Sequence, residues 1–434
     1  MSDITSLETA SEPTHQLQNL NDVQRLFDRI LQANKLFTNH DLLRSTHIPE
    51  TLPHREKEIT ELASILSPAL NYETPSNIII FGKPGVGKTA AVKLVGKELE
   101  RKAIEIGKLV NVVYINCQYT DTLYRILNNL AQHFINSPSN DRPFTGLPTD
   151  EVYVKTLSIL DMTNRAIIIV LDEIDRLKED AALYLLTRIN NDLHNTKVSI
   201  IGISNNLRFT DFLDARVKSS LGQETMVFNP YDAQKLQDIL RERAKSALKP
   251  DVIEDDIIPL CAALAAREHG DARKALDLLR ISAEIAERKG DPKITKNHVR
   301  LAQKKIESDC TKEIVHNLPF HSKLVIIAIL KTQKEHKEAG ISEVMMTGEV
   351  YDYYRRLCEK ARFDSLTQRR CADFISELDS LGLITARVIS KGRQGRTKEI
   401  TLSASATQII EILQEDEMLR ELLHYNLKNQ TRII

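Results

Sequence analysis

Residues 76–94, SNIIIFGKPGVGKTAAVKL, constrain the fold of this chain more than any other segment. Ile78, Ile79, Ile80 and Phe81 form an apolar run that leads into Gly82-x-x-x-x-Gly87-Lys88-Thr89, and helix-forming residues follow. A buried strand, a glycine-rich turn and a helix in that order make a P-loop, whose backbone amides wrap phosphate oxygens. Gly82, Gly85 and Gly87 suit that wrap because amides reach phosphate only where no Cβ stands in the way, and Val86 and Ala90 complete it. Lys88 is expected to neutralise the β- and γ-phosphates and Thr89 to hold Mg²⁺ through its hydroxyl, at the positive end of a helix. The expected cofactors are therefore ATP or ADP with Mg²⁺.

A second acidic motif supports this reading. Ile167–Leu171 is apolar throughout and ends in Asp172-Glu173. Asp172 is expected to hold the metal with Thr89, and Glu173 to orient or polarise the attacking water. The next apolar run ends in Ser204-Asn205-Asn206, where an amide can sense the γ-phosphate; Asn205 is the first choice and Asn206 the second. Gly270-Asp271-Ala272-Arg273 opens a helix whose first-turn arginine can reach the phosphates. Arg216 is a weaker candidate, either a finger acting in trans at a neighbour's site or a surface arginine.

Apolar runs alternate with helical patterns, which indicates a parallel sheet covered on both faces. Strands are expected over 77–81, 111–116, 166–172 and 197–204. Helices are expected over 56–66, from 88 to about 106, after Thr122, over 152–161 and over 181–193. From Asp232 the pattern is all helical (233–247, 255–269, 271–289, 296–309), the signature of a lid. Three further helices (322–334, 349–360, 368–380) precede two strands around a basic turn, which is a winged helix-turn-helix. A last acidic helix is expected over 404–423. The fold class is an α/β P-loop domain (49–228), a helical lid (229–310) and a winged-helix domain (312–434). Residues 1–48 form a polar leading segment, its first 20 or so expected to be disordered and 21–33 helical.

At 434 residues, 42% hydrophobic and 27% charged, the composition is that of a globular protein with several cores. No apolar run approaches the about 18 residues of a membrane span, and no leading apolar segment suggests secretion. The five cysteines show no metal or disulfide spacing and suggest a reducing, cytoplasmic setting. A net charge of −1 means that any nucleic-acid surface must be local. One such surface is evident: Arg387, Lys391, Arg393, Arg396 and Lys398 occur with no acid between them, and Gly392 and Gly395 keep the turn slim. Arg393 and Arg396 suit a minor groove. Thr367 is expected to cap the third helix, presenting Gln368, Arg369 and Arg370 to base edges in a major groove.

These motifs, in order, resemble an AAA+ ATPase. LLRSTHIPETLPHREKEI, VLDEIDRL, IGISNNL, LDARVKSSLG, FNPYDAQKLQDILRERA, GDARKALDLLR and SKGRQGRTKEI further resemble the archaeal initiators of the origin recognition complex subunit one / cell division control protein six family. The resemblance runs from about Leu36 to Leu402. It implies that Pro53, His54 and Arg55 lie by the adenine and that Tyr231 and Arg243 complete the nucleotide pocket. It also implies double-stranded origin DNA and an MCM-type replicative helicase as partners, a second initiator copy or paralogue, and a nucleoid-associated protein away from membranes. Slow hydrolysis would act as a switch. A DNA-touching insertion is implied between Asn116 and Asp161, around residues 118–125 or 136–149. The alternatives are a nucleotide-gated transcription regulator, and a helicase- or clamp-loader subunit acting through protein contacts.

Overall fold

The computed structural model describes residues 35–135, 144–178, 180–211, 213–268, 270–340, 342, 344–390 and 396–425. The expectations for residues 1–33, for most of the 136–149 loop, and for Lys391, Gly392 and Arg393 at the wing tip lie outside them. By internal contacts the chain divides into two units, Met1–Ala302 and Gln303–Ile434.

The first unit is built on a parallel five-stranded sheet of order β2-β3-β4-β1-β5. Its strands are β1 (Ile78–Gly82), β2 (Val110–Asn116), β3 (Ala166–Asp172), β4 (Lys197–Ser204) and β5 (Glu224–Phe228). Successive side chains alternate between faces. Ile79 and Phe81 therefore join one apolar core with Val113, Ile167 and Ile200, while Ile78 and Ile80 join another with Ile168 and Ile201. Each buried aliphatic side chain of this kind contributes about 1.5–3 kcal/mol. The register pairs Phe81 with Ser204 and Asn116 with Asp172, so the loops carrying the chemistry leave one edge together. Ligands bind at that carboxyl edge in open α/β sheets.

Strands β3 and β4 span the residues that the apolar runs predict. The pattern misses β5 and the short helix Ala215–Leu221. Strand β5 lies at the sheet edge with Glu224, Thr225 and Val227 exposed, so it lacks a continuous apolar run. The helix expected over 181–193 is instead Asp180–Thr187 followed by a 3₁₀ turn, Ile189–Asn191. Asn190 explains the break: its side chain donates to the Val198 carbonyl and accepts from the Val198 amide, satisfying β4 in place of its own helix.

The lid consists of Ala233–Ala247, Ile257–Arg267, Ala272–Lys289 and the start of Lys296–Asn317. Asp232 and Asp271 cap their helices by accepting the amides of Lys235 and Arg273. The last of these helices extends beyond the expected 309.

In the second unit, helices Phe320–Glu338, Thr347–Ala361 and Gln368–Ser380 pack with a three-stranded antiparallel sheet of order β6-β8-β7. Strand β6 (Met345–Met346) is too short to read from sequence; β7 is Ile384–Ser390 and β8 is Arg396–Leu402. Ile326, Ile327, Tyr354, Ile375 and Ile400 form its core. The helix expected over 404–423 is two helices, Ala406–Leu413 and Glu417–His424. Asp416 divides them, because its carboxylate caps the second by accepting from Met418 and Leu419.

Candidate nucleotide site and nucleic-acid interface

The P-loop helix, Lys88–Glu105, starts at Gly87, whose φ of +93° favours glycine. Gly85 has a φ of +73°, and a Cβ there would lie 1.6 Å from the Asp271 carboxylate. The lid therefore docks directly on the phosphate loop, and the amide of Ala272 also donates to the Gly85 carbonyl at 3.1 Å. Only glycine permits this approach.

Lys88 is 5% exposed and donates to the carbonyls of Gly82 (2.6 Å) and Lys83 (2.9 Å) and to Asn205 Oδ1 (2.9 Å). Among the described residues it has no carboxylate partner within ion-pair distance. Burial, reinforced by the nearby Arg273 charge, pushes its pKa down to about 8, against the pull of Asp172, Asp175 and Asp271. A buried cation without a paired anion is a site prepared for a phosphate. Thr89 donates to Asp172 Oδ2 at 2.9 Å, joining the two expected metal-binding side chains. Glu173 follows at a φ of +55°, a sharp turn that takes the chain off the end of β3.

A cleft of about 470 Å³ connects these groups. Gly85, Gly87, Lys88, Thr89, Ala90, Asp172, Glu173, Asn205 and Arg273 line its phosphate end; Pro53, Tyr231 and Arg243 line it elsewhere. The donor set, the glycine backbone and the unpaired Lys88 all fit a nucleotide with Mg²⁺. Gly82 and Val86 act from behind. Gly82 supplies the carbonyl that holds Lys88, and Val86 is fully buried.

Two expected pocket residues are placed differently. His54 and Arg55 do not line the cleft. His54 lies 3.0 Å from Asp238 on the first lid helix. Arg55 is turned inward, 4% exposed, because four acceptors and two aromatic rings surround its guanidinium there. Arg216 is also apart from the cleft, exposed and paired with Asp214.

Sequence reasoning missed Asp175, which accepts from the Ser204 hydroxyl at 2.9 Å and from the Asn205 backbone N–H at 3.3 Å and so fixes the backbone that carries Asn205. Its signal was the third acid of Asp172-Glu173-Ile174-Asp175. It also left unassigned the far wall, formed by Ser45, His47, Ile48, Leu52 and Ile239; the first four lie in the stretch LLRSTHIPETLPHREKEI, of which the resemblance gives only Pro53, His54 and Arg55 a place in the pocket.

In the second unit Thr367 caps the third helix by accepting the Arg370 amide, and Gln368, Arg369 and Arg370 are exposed. Arg370 lies over the Phe374 ring at 5.1 Å. Lys398 is drawn from the wing onto this helix, donating to the Ala372 carbonyl and the Ser376 hydroxyl. Around residues 118–125, Arg125 and Lys178 pair with Asp121, and Tyr119 is exposed.

Family models match in the same order. A model for an AAA domain matches residues 71–209, one for a Cdc6 AAA+ ATPase-type lid domain 237–304, and one for a CDC6 C-terminal winged helix domain 313–412. The fold and site thus define an AAA+ ATPase carrying a winged helix. The chain is 49% identical over 425 residues to the ORC1-type DNA replication protein of Pyrococcus furiosus, covering 97% of this chain and 99% of that protein. It is 50% identical over 402 residues to ORC1-type DNA replication protein 1 of Methanosarcina acetivorans, covering 92% and 95%. It also resembles the solved Aeropyrum pernix ORC1 protein in complex with DNA, with a TM-score of 0.79 and 43% identity over 89% of this chain and 99% of that one. The chain belongs to the ORC1-type DNA replication protein family.

Proposed function

We propose that this protein is an ATP-dependent replication initiator that binds double-stranded origin DNA and recruits an MCM-type helicase, with slow hydrolysis as a switch. The observation that carries the reading is the Gly85–Asp271 contact, which ties the lid to the phosphate loop in a chain that also bears an exposed basic recognition helix. Bound ATP with Mg²⁺ supplies the phosphoanhydride to be cleaved. Lys88 would neutralise its phosphates, Thr89 and Asp172 would hold the metal, and Glu173 would orient the water and accept its proton. Asn205, braced by Asp175, positions the water or the γ-phosphate. Arg273, at the start of a lid helix, links phosphate charge to lid position.

On DNA, Gln368, Arg369 and Arg370 read base edges while Lys391, Gly392, Arg393 and Arg396 follow the adjacent groove. Arg216 is suited to act in trans at a second copy or paralogue, since it is exposed and away from its own cleft. The protein would work on the nucleoid. Footprinting on its own chromosome with ATP and with ADP tests the reading. Nucleotide-dependent protection of one intergenic repeat cluster at a replication start is expected. Protection at many promoters would indicate a transcription regulator, and protection nowhere a loader acting through protein contacts.

A further inference from the structure

Arg55 immediately precedes the helix Glu56–Leu66 and lies at the junction of the strap, the phosphate loop and the lid connector. Before it, residues 36–54 form a strap bound to the lid. The amides of Thr38 and Asn39 donate to the Ala247 carbonyl, and the amide of Lys249 donates to that of Leu36. Arg243 donates to the His47 carbonyl, Thr51 donates to Glu242, and His54 meets Asp238. The strap residues Ser45–Leu52 that line the cleft are therefore carried by the lid.

At Arg55 the chain passes from that lid-bound strap to the helix Glu56–Leu66. Its Nε donates to the Val86 carbonyl of the P-loop (3.1 Å) and to the Tyr231 hydroxyl (2.9 Å). Its Nη2 donates to the Asn229 carbonyl (2.5 Å) on the connector between β5 and the lid, and its Nη1 pairs with Glu58 (2.6 Å). The Tyr231 ring lies 4.2 Å from the guanidinium. Tyr231 in turn fills the space beside Gly87, where a Cβ would come within 3.0 Å of its hydroxyl. A buried guanidinium carries a large desolvation cost, and replacing it by apolar residues is often neutral or stabilising, so stability alone is a weak reason to keep it. Its planar fork, in contrast, is well suited to fix several acceptors at set angles.

We propose that Arg55 is a positioning residue that locks the P-loop to the lid connector, so that movement of the lid and its strap is transmitted to the loop that holds phosphate. The proposal rests on nucleotide binding in this cleft. Opening at the base-side wall and loosening at the phosphates are then one movement.

The test is the release rate of a fluorescent mant-ADP with Mg²⁺ from the full chain, in wild type, Arg55→Gln, Arg55→Lys, Arg273→Ala and the double variant Arg55→Gln/Arg273→Ala. Arg55→Gln and Arg55→Lys are each expected to speed release by about tenfold, since lysine restores the charge but not the fork. The double variant is expected to fall short of the product of the single effects, because both residues act through lid position. Unchanged release in both Arg55 variants, or strictly multiplicative effects, would overturn the proposal. If the Arg55 variants do not fold, Tyr231→Phe, which deletes one acceptor, must still speed release, and an unchanged rate there refutes the lock. A wild type that does not retain mant-ADP refutes the nucleotide reading itself.

Discussion

The Lys88 ammonium is the most heavily perturbed charge in the nucleotide cleft, and its titration tests the site directly. Burial lowers its pKa from the ordinary 10.5 to about 8. Nucleotide phosphates would favour the charged amine again, so binding must draw a proton from solvent whenever Lys88 starts neutral. About a tenth of the amine is neutral at pH 7, about half at pH 8 and about nine-tenths at pH 9, and uptake on binding Mg·ADP should follow that series. Above pH 8 the affinity should weaken by up to about 1.4 kcal/mol per pH unit, which is about tenfold in Kd. The stability linkage has a definite sign. A lysine pKa lower in the folded than in the unfolded state gives a folded chain that binds fewer protons between pH 8 and 10.5. The nucleotide-free protein therefore gains stability as pH rises through that window, and the complex does not. Titration calorimetry in buffers of different ionisation enthalpy reads the uptake. Absence of uptake at pH 9 would refute the assignment of Lys88 as an uncompensated cation awaiting phosphate.

Three further outcomes are expected. Gly85→Ala combines a positive φ with a Cβ 1.6 Å from the Asp271 carboxylate, so either that carboxylate leaves its place, giving up its cap on Arg273, or the lid shifts; mant-ADP affinity should fall about tenfold, and wild-type affinity would show that the contact is dispensable. Thr367→Ala removes the cap on the Arg370 amide and should lower the stability of the winged-helix unit by about 1 kcal/mol in a denaturant melt. Replacing Arg369 and Arg370 by Ala should weaken binding to the preferred sequence by about 1–3 kcal/mol for each lost base contact and relax sequence specificity in a competition assay. Unchanged specificity would remove both from the base-reading surface.

The fold was legible wherever local pattern and burial coincide. Strands β3 and β4 lie between sheet neighbours, so burial on both faces left continuous apolar runs; edge strand β5 is buried only at Met226 and Phe228 and carries no such run. Helix ends marked by a cap were readable at Thr122, Asp271 and Thr367. The breaks at Asn190 and Asp416 were not, because in each case a polar side chain chose a backbone partner that periodicity does not register. The phosphate end of the cleft, Lys88, Thr89, Asp172 and Asn205, could be read because phosphate and metal chemistry dictates residue type and spacing together. Ser45, His47, Ile48, Leu52 and Ile239 on the opposite wall could not, since no phosphate or metal chemistry fixes their residue types or spacing.

Sequence by itself determined a P-loop sheet, a helical lid, a winged helix and the groups able to meet phosphate. That information is local: a strand, a glycine turn and a helix start occupy adjacent positions in the chain. Tertiary structure decided that Asp271 rests on Gly85, that Asp175 braces Asn205, and that Arg55 faces inward between the P-loop and Tyr231. Each of these joins residues 30 to nearly 190 positions apart. Their partners are set by how the sheet register and the lid docking bring distant backbone together, and no spacing along the chain encodes that.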